Sequence, residues 1–293
     1  MSLQQVEQCP VCKGKSFQPF LVCKDYTTSG ELFHVEQCAS CKMVLTNPRP
    51  RQENAGAYYQ SPNYISHSNL ATGLITCIYL IIRTFTLRWK YNLIQPYLKE
   101  NLLLDVGAGT GNFLRFCKQS GVNIYGVEPS AEAREKIRGI LIVESIDKLP
   151  DIKFNVITLW HVLEHIYDLA ETIEKLKAKL SDSGIIFIAV PNWQSADSSH
   201  YKEMWAAYDV PRHVWHFSQT SMKSLLKHAG LNVKKIVPMR LDAYYVSLLS
   251  EKNHANGKLS ILNAIKALAN GYRSNLKAKS NMNYSSLIYL VQK

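Results

Sequence analysis

The chain has 293 residues, of which 46% are hydrophobic and 19% charged, with 14 Gly and 11 Pro. These proportions exclude a disordered, collagen-like or low-complexity protein, and at roughly 150 residues per domain the length suits one large and one small domain. The formal net charge is +11, and residues 231–293 contribute +8 through ten basic and two acidic side chains. This excess suits an anionic partner, such as a phosphate-bearing metabolite, nucleic acid or an acidic membrane surface.

No transmembrane or secretory segment is predicted. The longest apolar run, residues 70–82, is shorter than the roughly 20 residues that cross a bilayer. The first residues lack the basic start and apolar core of a secretory signal. We therefore expect a cytoplasmic protein, in which cysteines stay reduced.

Four cysteines form two CxxC pairs, Cys9 with Cys12 and Cys38 with Cys41, with 25 residues between the pairs. Two such knuckles complete the tetrahedral sulfur shell that zinc prefers. A redox role needs only one pair, and an iron–sulfur cluster stays an alternative. We predict a structural zinc ribbon over residues 1–50. The remaining cysteines are expected to be buried packing residues: Cys23, Cys77 and Cys117.

Residues 51–99 are predicted as a helical linker or cap, because apolar residues between 70 and 99 recur at spacings of three and four. Packing on the next domain is favoured over a place on a membrane surface. From residue 100 onwards, short apolar strands alternate with helices, as in an α/β domain. The strands are predicted at 102–106, 122–127, 141–143, 154–160, 185–190, 231–237 and 285–291. Helices are predicted at 112–120, 130–138, 169–180 and 218–230, with a helical insertion at about 239–280.

A glycine-rich turn follows the first of these strands. Gly107, Gly109 and Gly111 give the pattern GxGxG between a strand and a helix, and glycine lets the backbone approach a ligand closely. A dinucleotide site would have its third glycine one residue later. Asp105 precedes the loop and Glu128 ends the next predicted strand. Glu128 would accept hydrogen bonds from two ribose hydroxyls, so the pattern fits a nucleoside without phosphates and with a cationic part.

From about residue 98 to its end, the chain resembles the class I S-adenosylmethionine-dependent methyltransferases. The resemblance implies a Rossmann-like, seven-stranded, mostly parallel sheet in a domain covering residues 100–293. It also implies a cofactor site in which the glycine loop cradles the methionine part, Glu128 holds the ribose, and residues after the third and fourth strands flank the adenine and the methionine end. The predicted cofactor residues are Asp105, Gly107, Ala108, Gly109, Gly111, Glu128, Pro129, Ser145, Ile146, Trp160, His161 and Tyr64.

The similarity extends to the small-molecule branch, which contains ubiquinone-pathway O-methyltransferases and deoxysugar C-methyltransferases. The sugar enzymes carry an N-terminal four-cysteine zinc module followed by a tyrosine-rich stretch, represented here by Tyr58, Tyr59 and Tyr64. They also have a large additional C-terminal domain that these 293 residues do not include.

Two polar segments are candidates for the acceptor side. The sequence from His161 to His165 spells HxxEH, a metallopeptidase signature, but resembling methyltransferases carry a Leu-Glu-His run at this strand end. Glu164 and His165 either orient the loop or act in catalysis. The segment 209–217 holds His213, which we predict as general base together with His165 as a second catalytic residue; packing in the core is the alternative for these histidines. The predicted acceptor-binding residues are Arg212, for an anionic group, and Tyr244.

These features predict methylation of a small, anionic metabolite at oxygen or carbon, with a nucleotide sugar among the candidate acceptors. A zinc-finger-bearing rRNA base methyltransferase is the alternative enzyme, since the charge of +11 suits nucleic acid. The fourth strand, however, ends in Trp-His rather than in the Asn- or Asp-Pro-Pro-Tyr sequence common in amino-directed base methylases. A non-catalytic zinc-bearing scaffold is the third hypothesis.

Overall fold

The computed structural model describes residues 2–60 and 85–293. The strands are β1 (Leu3–Gln4), β2 (Phe17–Lys24), β3 (Leu32–Cys38), β4 (Val44–Thr46), β5 (Arg49–Pro50), β6 (Leu102–Val106), β7 (Asn123–Val127), β8 (Leu141–Val143), β9 (Phe154–Trp160), β10 (Leu180–Pro191), β11 (Trp215–His216), β12 (Asn232–Pro238) and β13 (Ser286–Gln292). The α-helices are α1 (described over 85–94), α2 (Asn112–Gln119), α3 (Ala131–Glu135), α4 (Leu169–Lys179), α5 (Ala196–Tyr201), α6 (Gln219–His228), α7 (Asp242–His254) and α8 (Ile261–Asn281). Short 3₁₀ helices cover Gln52–Tyr59, Gln95–Tyr97, Ile146–Lys148, Leu163–His165, Lys202–Met204 and Ala206–Tyr208.

The central sheet has seven strands in the order β12-β13-β10-β9-β6-β7-β8. The pairs from β10 to β8 are parallel, and β13 runs antiparallel to both of its neighbours. This confirms the predicted Rossmann-like, mostly parallel fold. The strand β10 begins at Leu180 rather than at 185, because Leu180 pairs with Phe154 before the register shifts across the following turn.

The sheet is covered on both faces. Leu103 and Leu104 are consecutive in β6, point to opposite faces and are both fully buried, each in a different apolar cluster. A parallel strand buried on both faces explains the continuous apolar run in the sequence. The strand order reverses beside β6, so a crevice forms between the carboxyl ends of β6 and its neighbours, where α/β sheets bind ligands.

Serine caps begin two helices as the sequence predicts. The Ser130 hydroxyl accepts from the Ala133 amide, and the Ser218 hydroxyl accepts from the Ser221 amide. Both bonds satisfy amides that a helix start leaves without partners. The helix α3 ends at Glu135, three residues before the predicted end.

The N-terminal strands share a sheet with a segment of the large domain. The second sheet has the order β11-β4-β3-β2, in which Trp215 pairs with Leu45 and His216 with Val44. The loop that carries His213 is therefore fixed against β4 of the N-terminal strands by backbone hydrogen bonds. The two-stranded sheet β1-β5 joins Leu3 to Pro50.

Cys23 and Cys117 are buried, as predicted, whereas Cys77 and the first half of the predicted helix at 70–99 lie outside the described residues. The helices α7 and α8 lie between β12 and β13. The domain boundaries at 1–50, 51–99 and 100–293 stay predictions. Among the residues that the structure describes, no helix is long and apolar enough to cross a membrane.

Candidate active site

The glycine loop leaves one face of its backbone open. Gly107 and Gly109 both have positive φ, at 72° and 53°, a conformation that favours glycine. A Cβ on Gly107 would collide with the Val162 side chain, whereas a Cβ on Gly109 would meet no atom within 4 Å. The loop is thus packed against the end of β9 at Gly107 and accessible to a ligand at Gly109. Gly111, also at positive φ, is the N-cap of α2.

Glu128 lies directly beside this open face. One carboxylate oxygen accepts from the Gly109 amide at 2.7 Å, and the other accepts from the Ser130 amide at 2.9 Å. A carboxylate has about four acceptor positions, so Glu128 keeps lone pairs for two hydroxyl donors. Ala108 is anchored by its amide to the Val127 carbonyl at 3.0 Å. Pro129, after Glu128, accepts at its carbonyl from Arg134.

A buried carboxyl group lies just before the loop. Asp105 accepts a hydrogen bond of 2.6 Å from the Thr158 hydroxyl. Burial raises the pKa of Asp105 to about 7, although the Thr158 hydrogen bond and the charge of Lys90 oppose the shift. Burial also lowers the pKa of Lys90 on α1. Lys90 was not predicted as a site residue, because no sequence pattern links a residue of the linker to the glycine loop.

Trp160 presents an unused donor at the end of β9. Its indole Nε1 is buried and, within residues 2–60 and 85–293, has no hydrogen-bond partner. The Trp160 ring packs edge-on against Phe113, with the two ring centroids 5.6 Å apart. Lys90 Nζ lies 4.5 Å from the centroid of the Trp160 ring. Buried donors are rarely left unpaired, so Nε1 suits a polar group of a bound ligand. Together with Gly109 and Glu128, this donor fits S-adenosylmethionine.

The predicted adenine residues follow β8, the strand beside β7. Ile146 is buried, and Ser145 begins a 3₁₀ helix without using its side chain as a cap. Both lie at the same sheet edge as Glu128, because parallel strands end together. Tyr64 lies outside the described residues.

His161 connects β9 to the start of α7. Its Nε2 lies 3.1 Å from an Asp242 oxygen and its Nδ1 lies 3.3 Å from a Glu164 oxygen. Burial disfavours the charged ring, but the hydrogen bonds to Asp242 and Glu164 outweigh burial and raise the pKa of His161 to about 9. At neutral pH the ring donates to both carboxylates. Asp242 was not predicted as a partner of His161, because it is 81 residues away in the sequence.

The raised pKa of His161, paired with Asp242, predicts that the folded protein loses stability at alkaline pH. A histidine whose folded pKa exceeds the value of about 6.5 in the unfolded chain stabilises the fold fully below that value, and the contribution disappears as the pH rises through about 9. We expect Asp242→Asn to reduce the fall in melting temperature between pH 7 and 10, measured against the wild type by calorimetry. An unchanged fall would show that Asp242 does not stabilise the imidazolium.

His165 and His213 lie together, with ring centroids 4.5 Å apart. His213 Nδ1 is 2.8 Å from the Ala207 carbonyl, and His165 Nδ1 is 3.0 Å from both the Arg212 carbonyl and the Tyr59 hydroxyl. A carbonyl only accepts, so in the neutral rings Nδ1 carries the proton and Nε2 the lone pair. Burial, followed by the charge of His213, lowers the pKa of His165 to about 4, and His165 is neutral at pH 7.

Arg212 is held inside the protein by two carboxylates. Its Nε and Nη2 donate to Asp209 at 3.0 and 2.6 Å, and Nη2 also donates to Asp25 at 2.9 Å. Its Nη1 donates to the Tyr58 carbonyl and the Thr28 hydroxyl. These contacts engage all five guanidinium donors, which leaves none for the anionic acceptor group predicted from the sequence. They favour a positioning role, in which Arg212 ties the His213 loop to the N-terminal strands.

Burial alone would raise the pKa of Asp209, but the hydrogen bonds and charge of Arg212 hold it below its ordinary value. The Asp209 carboxylate therefore stays charged, with one oxygen 4.0 Å from His213 Nε2. Asp209 was not predicted as a functional residue, although it begins the polar segment that the sequence analysis singled out.

The HxxEH pattern does not form a paired-histidine site in this structure. Within the described residues, the groups that could share a metal in this region are Glu164, His165 and His213, whereas His161 is bound to Asp242 instead. The segment Leu163–His165 is a single 3₁₀ turn. Tyr244, the second predicted acceptor residue, is half-buried and packs against α8 at Gly271.

Comparison with known proteins decides the family. The family model "Methyltransferase domain" matches residues 88–236. The chain belongs to this methyltransferase domain family. An uncharacterized methyltransferase of Alkaliphilus oremlandii is 30% identical over 107 residues, covering 34% of this chain and 50% of the relative. A ubiquinone biosynthesis O-methyltransferase of Rhodopseudomonas palustris is 27% identical over 32% of this chain and 42% of its own length. The chain thus spans half or less of the curated relatives it matches.

Among solved structures, an S-adenosylmethionine-dependent methyltransferase from Archaeoglobus fulgidus has a TM-score of 0.49 and 21% identity, covering 72% of this chain and 94% of the other. The sequence-based resemblance to the methyltransferases is confirmed by the family match, and the α/β fold of this methyltransferase domain is confirmed by its own sheet order.

The four predicted metal ligands of the chain lie together. The sulfurs of Cys9, Cys12, Cys38 and Cys41 are all within 4.8 Å of one another, with two pairs at 3.5 Å. Zinc–sulfur bonds of about 2.3 Å in a tetrahedron place sulfurs about 3.8 Å apart, so the cluster fits zinc. The two knuckles have the same geometry. In each knuckle, the carbonyl oxygen of the first cysteine accepts a hydrogen bond from the amide of the lysine four residues later, Lys13 or Lys42. Both lysines have a φ of 61°.

A cavity of about 410 Å³ lies between β2 and α5 and is lined by Phe20, Trp193, Ser198 and Tyr208, among others. None of the predicted cofactor, catalytic or acceptor residues lines it.

Proposed function

We propose that this methyltransferase-family chain transfers a methyl group from S-adenosylmethionine to a small-molecule acceptor, at oxygen or carbon. The observation that carries the proposal is the open face of Gly109 with the Glu128 carboxylate on its amide, at the carboxyl edge of the sheet. When bound, S-adenosylmethionine supplies an electrophilic methyl group on a sulfonium. The chain's own contribution is to bind the donor, hold the acceptor in line with it and remove the acceptor's proton.

His213 is the proposed general base. Its Nε2 lone pair is oriented by the bond from Nδ1 to the Ala207 carbonyl, and Asp209 stabilises the imidazolium that forms when the acceptor gives up its proton. Arg212 keeps Asp209 ionised and in place. Neutral His165 packs against the His213 ring and narrows its rotation.

An anionic acceptor, such as a nucleotide sugar, is the finer proposal. Its support is the charge of +8 over residues 231–293. Arg212 gives the proposal no further support, because its hydrogen-bond donors are already engaged within the protein. Incubation with a donor carrying a labelled methyl group should label nucleotide sugars or quinone precursors and leave total RNA unlabelled. Label in RNA would favour the base-methyltransferase alternative instead.

The proposed zinc site would stabilise the N-terminal module by joining its two CxxC pairs. Four cysteine thiolates fill the shell of the metal, so zinc would act in folding and leave no position for a substrate.

Replacing Glu128 tests the cofactor site. Glu128→Ala removes the acceptors of the ribose hydroxyls, at a cost of about 1.5–3 kcal/mol for charge-assisted hydrogen bonds, and should weaken S-adenosylmethionine binding about tenfold or more in a calorimetric titration. Glu135→Ala, at an exposed position on α3, is the matched control and should bind as the wild type does. Equal affinity in both variants would remove Glu128 from the site.

A further inference from the structure

The helix α8 contacts the rest of the molecule along a row of small residues. Ala267, Gly271, Ser274 and Ala278 are its buried residues. At Gly271 a Cβ would come within 2.9 Å of the Tyr244 backbone on α7. Small residues at this spacing let the two helices pack closely. Beside this row, half-buried Asn263, Asn270 and Asn275 hydrogen-bond to other parts of the chain. The opposite side of the 21-residue helix is exposed in the part of the chain that the structure describes.

The outward side of α8 carries a stripe of large apolar side chains. Their exposed fractions are 83% for Ile261, 61% for Leu262, 58% for Ile265, 59% for Leu268, 57% for Tyr272 and 41% for Leu276. Spacings of three and four place Ile261, Ile265, Leu268, Tyr272 and Leu276 on one side of the helix, over a length of about 22 Å at 1.5 Å per residue. A continuous exposed stripe marks an interaction surface, unlike single exposed apolar residues.

Basic side chains accompany the stripe. Lys266, Arg273 and Lys277 are exposed, and each directly follows a stripe residue, so the three form a second row about 100° further round the helix. The helix Ile261–Asn281 has four basic residues, the fourth being Lys279, and no acidic residue. A second copy of α8 would therefore bring like charges together, which disfavours helix-to-helix pairing between two chains.

We propose that α8 docks on an anionic lipid surface, with the stripe in the headgroup and acyl boundary and the basic row on the lipid phosphates. An apolar face bordered by Lys and Arg is the pattern of helices that lie in a membrane interface, and each basic residue near such a surface strengthens binding by a factor of roughly five. This peripheral contact would hold the enzyme at the membrane without altering its cofactor site.

Vesicle sedimentation tests this surface with the full chain. Wild-type protein should pellet with phosphatidylcholine vesicles that contain phosphatidylglycerol, and less with phosphatidylcholine alone. The double variant Ile265→Asp/Leu268→Asp should bind at least about tenfold more weakly, because two apolar side chains leave the interface. The matched control Leu32→Asp/Leu141→Asp changes two other exposed leucines, at 67% and 52% exposure, and should bind as the wild type does.

The basic row is tested by Lys266→Gln/Arg273→Gln/Lys277→Gln, which should lower binding to the anionic vesicles, reduce its salt dependence and leave binding to phosphatidylcholine alone unchanged. All variants should keep the wild-type melting temperature and S-adenosylmethionine affinity, since the changed side chains are exposed.

Failure of the wild type to pellet with anionic vesicles, or undiminished binding of Ile265→Asp/Leu268→Asp, would overturn the proposal. A wild-type dimer in analytical ultracentrifugation that this variant converts to a monomer, without vesicle binding, would assign the stripe to a second copy and would equally overturn it.

Discussion

His213→Ala should lower kcat by roughly 10² to 10⁴, the usual contribution of a general base, while the affinity for S-adenosylmethionine should stay close to that of the wild type. The loss follows because Nε2 is the lone-pair atom that would take the acceptor's proton, whereas the glycine loop and Glu128 are on other elements. The measurement is single-turnover methyl transfer with a reactive acceptor, beside a calorimetric titration of the donor. His228→Ala, on an exposed histidine of α6, is the control.

A His213→Ala enzyme with wild-type kcat would remove the base assignment. A fall in donor affinity as large as the fall in kcat would place His213 in the cofactor site instead.

We expect Cys38→Ser to abolish zinc binding and to unfold the N-terminal module, because structural zinc binding and folding of the ligand segment are coupled. The wild type should contain one zinc per chain by elemental analysis. In the variant, amide exchange over residues 17–46 should rise by orders of magnitude. Methyl transfer should collapse as well, since Thr46 donates to the His213 carbonyl at 2.7 Å and β4 pairs with β11.

Binding of S-adenosylmethionine should persist in Cys38→Ser, because the proposed donor site is on β6, β7 and their loops. Cys23→Ser is the matched control: Cys23 is buried in β2 outside the cluster, and its variant should keep the zinc. A second zinc equivalent that disappears in His165→Ala would place a metal on Glu164, His165 and His213 and would contradict the role of His213 as base.

The sequence could predict the parts of this fold that are specified locally. A strand such as Leu102–Val106 can be predicted from its apolar run. The loop after it needs glycine because its backbone has positive φ. Ser130 indicates a helix start because its hydroxyl can accept from a backbone amide of the first turn. The two CxxC pairs are likewise recognisable, since each knuckle is built from a few consecutive residues. The position of Glu128 beside the glycine loop was predictable because Glu128 follows the next strand and parallel strands end at one edge, and its carboxylate accepts from the Gly109 amide.

Long-range partners could not be predicted in this way. The ion pair between Arg212 and Asp25 joins residues 187 positions apart, and it depends on β11 adding to the sheet of the N-terminal strands. Arg212 therefore resembled an acceptor ligand in the sequence, whereas its donors are all engaged inside the protein. Lys90 and Asp242 were missed for the same reason, because only the folded chain brings them to Trp160 and His161.

A structure with S-adenosylhomocysteine bound is the most direct test of the proposed active site. We expect the ribose hydroxyls on Glu128, the nucleoside against the open face of Gly109, and the sulfur within about 8 Å of His213 Nε2, with room for an acceptor atom between them at roughly 3 Å contacts. Binding of the ligand away from the glycine loop, or packed side chains between the sulfur and His213, would contradict the proposed site.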